Sequence, residues 1–185
     1  LQTLHSPAQR HFYGHAVFHK DGEWLYATEN DTSAPGRGVL GVYRLQGEQL
    51  LRNGEHSTHG VGPHQLLWMP DGETLVVANG GIRTEAESRV EMNLNAMEPS
   101  LVLMQRDGTL LSKETLAQQM NSVRHLGIAT DGTVVACQQF MGDAHELSEL
   151  LAIKRPGQPF QPFPVAEPQL RAMGHYTASV AVHSE

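Results

Sequence analysis

His64-Gln-Leu-Leu-Trp-Met-Pro-Asp71-Gly72-Glu-Thr-Leu-Val-Val-Ala78 decides the fold. A short apolar run, an Asp-Gly pair and a second apolar run with alternation describe a β-hairpin, because glycine tolerates the positive φ that a tight turn demands. The same arrangement occurs earlier, as His15-Ala-Val-Phe-His-Lys-Asp21-Gly22-Glu-Trp-Leu-Tyr-Ala-Thr28, and later, as His125-Leu-Gly-Ile-Ala-Thr-Asp131-Gly132-Thr-Val-Val-Ala-Cys137.

Between these hairpins lies a second one in each unit. Val39 to Leu45 turns at Gly47 and returns through Gln49 to Arg52; Leu101 to Gln105 turns at Asp107-Gly108 and returns through Leu110 to Thr115; Leu150 to Lys154 turns at Pro156-Gly157 and returns near Phe160 to Phe163. The turn glycines 22, 47, 72, 108, 132 and 157 are 25, 25, 36, 24 and 25 residues apart, and the long step is a single inserted loop from Gly80 to Ser100. Units of about fifty residues with four strands each have the period of β-propeller blades. The expected fold is therefore all-β: blades of four antiparallel strands, blade one over about 15–57, blade two over about 64–116, blade three over about 125–166, and the start of a fourth from about 175. Its opening strand is expected at Ser179-Val180-Ala181-Val182. A β-sandwich or open meander would share the strand spacing but not the repeating register. Ser112 to Arg124 is the one helix candidate, in competition with the last strand of blade two and the loop after it.

Composition narrows the function. With 13 Lys+Arg against 20 Asp+Glu the net charge is −7, which argues against a nucleic-acid backbone or an anionic membrane as partner. No apolar stretch approaches the roughly 18 residues of a membrane span. Cys137 is the only cysteine, so no internal disulfide forms. Eleven histidines are many for 185 residues. The chain begins at Leu rather than Met, as a processed or truncated product would. Three blades and one further strand do not close a ring of about 4–8 blades, so a longer parent chain or self-association is expected.

The segment Pro70-Asp71-Gly72 followed by Leu-Val-Val-Ala-Asn79 resembles YVTN-type propeller repeats. Less common stretches resemble the exported bacterial propeller family known as domain of unknown function 1513: Phe12-Tyr-Gly-His15, Ala27-Thr-Glu-Asn-Asp31, Gly36-Arg-Gly-Val-Leu-Gly-Val-Tyr43, His59-Gly-Val-Gly-Pro-His64, Val77-Ala-Asn-Gly-Gly-Ile82, Asn93-Leu94, Met97-Glu-Pro-Ser-Leu101 and Ser122-Val-Arg-His-Leu126. The likeness runs through nearly the whole chain. It implies a seven-bladed parent about twice this length, made with a twin-arginine-type leader, and a periplasmic setting beside iron-uptake proteins. The family carries no established activity, so the resemblance implies a fold and a compartment and no reaction.

In a propeller the turns within hairpins share one face and the longer loops the other, so a site is expected among the loops. Four histidines stand at equivalent places beside the innermost strand: His15, His64, His125 and His175. Converging imidazoles would bind a transition metal or present donors to an anion. The alternative is structural, since WD-type repeats place a Gly-His pair where the ring bonds neighbouring backbone; Gly14-His15 and Gly174-His175 have that form. Among the four, His64 is the first choice, because Gly60-Val-Gly-Pro63 brings its loop close to the axis. Glu29, Asn30, Asp31, Asn79, Gln138 and Gln139 end the second strands with oxygen donors that would suit Ca²⁺. For Asn79 a turn role competes, and Glu29-Asn30-Asp31 beside Arg37 reads either as an ion pair or as a ligand site. Arg83, after Asn79-Gly80-Gly81, is placed to fold toward the channel and meet a carboxylate or phosphate, while Glu85, Glu87, Arg89 and Glu91 continue the loop as an alternating, solvated charge pattern. Cys137 reads as core. His5, His11, His19 and His56 receive no role.

Two functions remain. One is a non-catalytic periplasmic binding or assembly protein, partner of an iron-uptake system. The other is a metal-dependent enzyme, a lactonase-like hydrolase or an oxidoreductase, with its site at the channel mouth. Nothing resembles a serine nucleophile elbow, a phosphate-binding glycine loop or a cysteine zinc site.

Overall fold

The computed structural model describes residues 2–85, 88, 90–143 and 145–183. Three four-stranded antiparallel sheets follow one another along the chain, each in sequential strand order. Blade one contains β1 (Arg10–Phe18), β2 (Trp24–Asp31), β3 (Gly38–Gln46) and β4 (Gln49–Ser57). Blade two contains β5 (Pro63–Trp68), β6 (Thr74–Asn79), β7 (Ser100–Gln105) and β8 (Leu110–Glu114). Blade three contains β9 (Asn121–Ile128), β10 (Val134–Phe140), β11 (Leu151–Lys154) and a two-residue β12 (Gln161–Pro162). The first strands lie side by side, β1 against β5 and β5 against β9, which makes them the innermost strands of a propeller. No described helix is long and apolar enough to cross a membrane.

The turns obey the local chemistry. Asp21, Asp71 and Asp131 accept the backbone N–H two residues ahead at 2.9, 2.8 and 2.8 Å, the bond that makes aspartate a turn former. Gly72 follows with φ +69°, where a side chain would be strained.

Packing between blades makes the core. Tyr26, Leu40 and Val42 of blade one interlock with Leu66, Leu75, Val77, Val102 and Met104 of blade two. On the other side of blade two, Val76, Ala78 and Leu101 meet Val123, Leu126, Val134, Ala136, Ala152 and Phe160. Each large aliphatic side chain so buried contributes about 1.5–3 kcal/mol.

Two expectations need correction. Residues 112–124 form no helix: β8 and β9 occupy their ends, because Leu101 to Leu103 pair with Glu114 to Ser112 and draw that segment into the sheet. The one α-helix among the described residues, α1 (Glu167–Met173), lies instead between the expected third and fourth blades, started by Glu167-Pro168 in its first turn and closed by Gly174 at φ 66°. After α1, Tyr176 bridges Gln139, and Val180 and Val182 lie against Gly127 of β9. That is the side-by-side position of an innermost strand, although among the described residues no second strand pairs with it and no ladder forms.

Candidate metal centre at the inner strands

Each innermost strand carries a β-bulge beside its histidine. In β1, Phe12 pairs with Glu29 and Ala16 with Ala27, so Tyr13, Gly14 and His15 together face Thr28. In β5, Pro63 pairs with Asn79 and Leu66 with Val77, so His64 and Gln65 share Ala78. In β9, Val123 pairs with Gln138 and His125 with Cys137, which leaves Arg124 over. Surplus residues turn side chains off the normal alternation, and here they bring three imidazoles together. The ring centroids of His15 and His64 are 5.2 Å apart, those of His15 and His125 5.3 Å, and those of His64 and His125 4.9 Å. One nitrogen from each ring lies within 4.8 Å of the others.

Side chains lock the bulges to one another. The Thr28 hydroxyl accepts the His15 N–H at 3.0 Å and shares its own proton between the carbonyls of His15 and His64, both 3.1 Å away. Gln65 Oε1 accepts the N–H of Leu126 at 2.6 Å, joining blade two to blade three beside His125.

The electrostatics favour neutral rings. Burial lowers the pKa of His15. His64 is pushed down to about 3 by burial, then by the charge of Arg124 and the two neighbouring imidazoles. His125 is lowered by burial, by His15 and by Arg124. A neutral imidazole has the free lone pair that a metal requires. A tetrahedral ion with bonds of about 2.0–2.1 Å keeps its ligands about 3.3 Å apart, so the rings would close by up to about 1.5 Å around it.

His175 does not join them. The bridge of Tyr176 to Gln139, flanked by Phe140 N–H to His175 O at 2.8 Å and Thr177 N–H to Gln138 O at 3.2 Å, fixes this segment. Neighbouring residues of an extended chain point opposite ways. Tyr176 therefore faces the histidines, with its hydroxyl 2.9 Å from His125 Nε2, and His175 turns its ring to Phe140 at 5.7 Å.

The backbone-bonding role expected of Gly-His pairs belongs to other histidines. His19 is buried, donates from Nε2 to Gly72 O at 3.0 Å, meets Asp21 at 2.6 Å and packs edge-on to Trp68. His59, at φ 55°, donates to Gly108 O at 2.9 Å. Among the described residues, no ring nitrogen of His15, His64 or His125 bonds to backbone.

The oxygen donors are dispersed and occupied. Glu29, Asn30 and Asp31 lie on β2 and not in a loop, because β3 continues the ladder through Val39 and Gly38. Glu29 is fully buried; its carboxylate accepts from the Tyr43 hydroxyl at 2.6 Å and from Arg52 at 2.7 Å. Arg52 also meets Glu55 at 3.0 Å, Arg10 grips Glu55 with two bonds of 2.8 and 2.7 Å, and Asp31 takes Arg10 and Arg37 at 3.1 Å each. Hydrogen bonds from Arg10 hold Glu55 down to about 2, and Ser33 heads the groups that lower Asp31. Asn30 is buried with Oδ1 unpartnered. Of these residues Arg10, Tyr43, Arg52 and Glu55 escaped the sequence reading, since only the paired strands bring them to Glu29.

Glu29, Asn79 and Gln138 share one ladder position, two residues after Ala27, Val77 and Ala136, whose partners are Ala16, Leu66 and Leu126. Asn79 is inside β6 and no turn residue: its amide donates to Thr58 O at 3.2 Å and Ser100 Oγ at 3.4 Å. Gln138 has neither amide atom partnered and borders a cavity of about 240 Å³ with Asn121 and Ser148. Gln139 sits in β10 opposite Ser122. Arg83 leans over Gly36 and reaches Glu98 at 3.7 Å, so it takes an internal carboxylate and does not turn into the channel. Glu87 and Arg89 fall outside the described residues. Cys137 is buried, with its thiol pushed up by burial.

The family described as "Protein of unknown function (DUF1513)" matches residues 1–185. No curated protein matches the sequence. Among solved structures, a "putative 6-phosphogluconolactonase" from Bacteroides uniformis is similar at 16% identity and TM-score 0.48, over 82% of this chain and 41% of its own. The β-propeller domain of Myceliophteria thermophila Cps50 (Swd1) is similar at 15% identity and TM-score 0.49, over 85% of this chain and 45% of its own. The chain thus spans less than half the length of either structure.

Proposed function

The chain belongs to the DUF1513 family, and from that premise we propose that it is a propeller that binds one transition-metal ion at the centre of its inner strands, through His15, His64 and His125. The observation that supports this is the meeting of three half-buried imidazoles from three different blades, their nitrogens within 4.8 Å of one another. Imidazole donors suit Zn²⁺, Cu²⁺ or Fe²⁺ rather than Ca²⁺, which takes oxygen. Three protein ligands leave a coordination position open, as in sites that exchange ligands. We place this binding in the periplasm, as a partner in iron uptake, the compartment and setting that the loop resemblance implies.

The test is a titration of untagged, metal-stripped protein with each ion. One ion per chain is expected, and His64→Ala and His125→Ala, shown folded by circular dichroism, should lose it. Absence of binding by the parent protein, or binding by both variants equal to that of the parent, overturns the reading.

A further inference from the structure

Arg124 is the surplus residue of the β9 bulge, next to His125 and without a ladder partner. The half-buried arginines of blade one reach carboxylates: Arg10 holds Glu55 and Asp31, and Arg52 holds Glu29 and Glu55. Arg124 has none within ion-pair distance among the described residues, and its Nε is buried without a hydrogen-bond partner. The bulge seats Arg124 between Val123, opposite Gln138, and His125, opposite Cys137, so it shares the irregular stretch that carries the histidine.

Three neutral imidazoles leave the charge of a divalent ion uncompensated, and a half-buried guanidinium beside it adds another positive charge. Uncompensated charge in a partly desolvated site is costly unless an opposite charge joins it. The carboxylates of blade one cannot serve, because Glu29, Asp31 and Glu55 are already paired to arginines. An ion with three histidine ligands keeps a fourth position open, and guanidinium is the side chain best shaped to hold an oxyanion.

We infer that the centre takes its metal together with an oxyanion, one oxygen on the open position of the ion and the other on the Arg124 guanidinium. The inference rests on the reading of the three histidines as a metal site and names the ligand class of that site: a carboxylate or a phosphate. Arg124 binds the anion and is not a metal ligand. The arrangement suits an ion that arrives or leaves as an anionic chelate rather than as a bare aqua ion.

The experiment loads the untagged protein with Co²⁺, whose visible d–d absorption responds to a change of ligand, and titrates it separately with acetate and with inorganic phosphate. A saturable spectral change is expected in the parent protein. Arg124→Met should still bind Co²⁺ but require about ten- to a hundredfold more anion, the loss of a charge-assisted hydrogen bond. Arg124→Lys, which keeps the charge and loses the fork, should fall between them and serves as the second variant should the methionine protein not fold. A response to acetate alone assigns the anion to carboxylates, and one to phosphate alone assigns it to phosphates. Co²⁺ binding with the same anion titration in parent and variants overturns this inference and leaves the metal reading intact; absence of Co²⁺ binding overturns both.

Discussion

Gly14 and His64 meet backbone to backbone: a Cβ on Gly14 would lie 2.1 Å from the carbonyl oxygen of His64. The contact is between innermost strands of adjacent blades, at the bulges that carry His15 and His64, so blade packing and ring geometry depend on the same atoms. Gly14→Ala must push β1 from β5. A loss of about 1–3 kcal/mol is expected, the usual cost of overpacking, together with weaker metal binding. Urea unfolding and metal titration of the same sample check it; unchanged stability would show that β1 and β5 do not touch there.

His64 makes folding sensitive to acid. Its folded pKa of about 3 lies below the ordinary 6.5, so the neutral ring is favoured in the native state. Its contribution is complete above about pH 6.5 and is lost as pH falls toward 3, with a slope of at most about 1.4 kcal/mol per pH unit. Stability of the metal-free protein should therefore drop faster across this window than that of His64→Asn. Parallel pH profiles would contradict the buried, neutral state of this ring.

His19 should matter to stability and not to metal binding. It ties the first turn of blade one to Gly72 of blade two and is remote from the three clustered rings in its bonding. His19→Ala is expected to cost about 1–3 kcal/mol through the orphaned carbonyl, with metal affinity unchanged. Calorimetric titration beside thermal unfolding separates the two effects.

Glu29 holds blade one together through the Tyr43 hydroxyl and the Arg52 guanidinium, which occupy its carboxylate. Its removal in Glu29→Gln leaves Arg52 and Tyr43 facing a neutral group. About 2–3 kcal/mol of destabilisation is expected, less than for a wholly buried pair because Arg52 reaches water. Added Ca²⁺ should not raise the melting temperature of the parent protein; a Ca²⁺-dependent rise that Glu29→Gln abolishes would restore the ligand reading.

The face of blade one opposite blade two carries Leu4, Phe12, Ala16, Leu25, Ala27 and Tyr43 around a cavity of about 270 Å³. The corresponding faces of blades two and three are covered by the preceding blade. Concentration-dependent self-association is expected from it, reduced in Leu25→Glu. Light scattering that shows a monomer of 20.3 kDa at all concentrations would refute this.

Turn chemistry and strand alternation are local, and the sequence by itself determined what they determine. Asp-Gly at 21–22, 71–72 and 131–132 marked the hairpins, their spacing marked the blades, and the place of His15, His64 and His125 before each hairpin marked the inner strands. Even the bulges left a trace, because the interval from histidine to turn aspartate is six residues for His15 and His125 and seven for His64. Which side chains the bulges bring together was decided by the tertiary structure. A bulge acts only through the strand opposite it, so Arg124 beside His125 became visible with the pairing of β9 to β10, and Tyr176 in place of His175 with the bridge to Gln139. The acidic stretch 29–31 has the composition of a ligand loop. Its charges are instead satisfied by Arg10 and Arg52, which are 19 and 23 residues from Glu29 in sequence and reach blade one's carboxylates only across paired strands. Electrostatic partners are fixed by distance in space, and a repeat fixes the fold of its units long before it reveals which charges will meet between their strands.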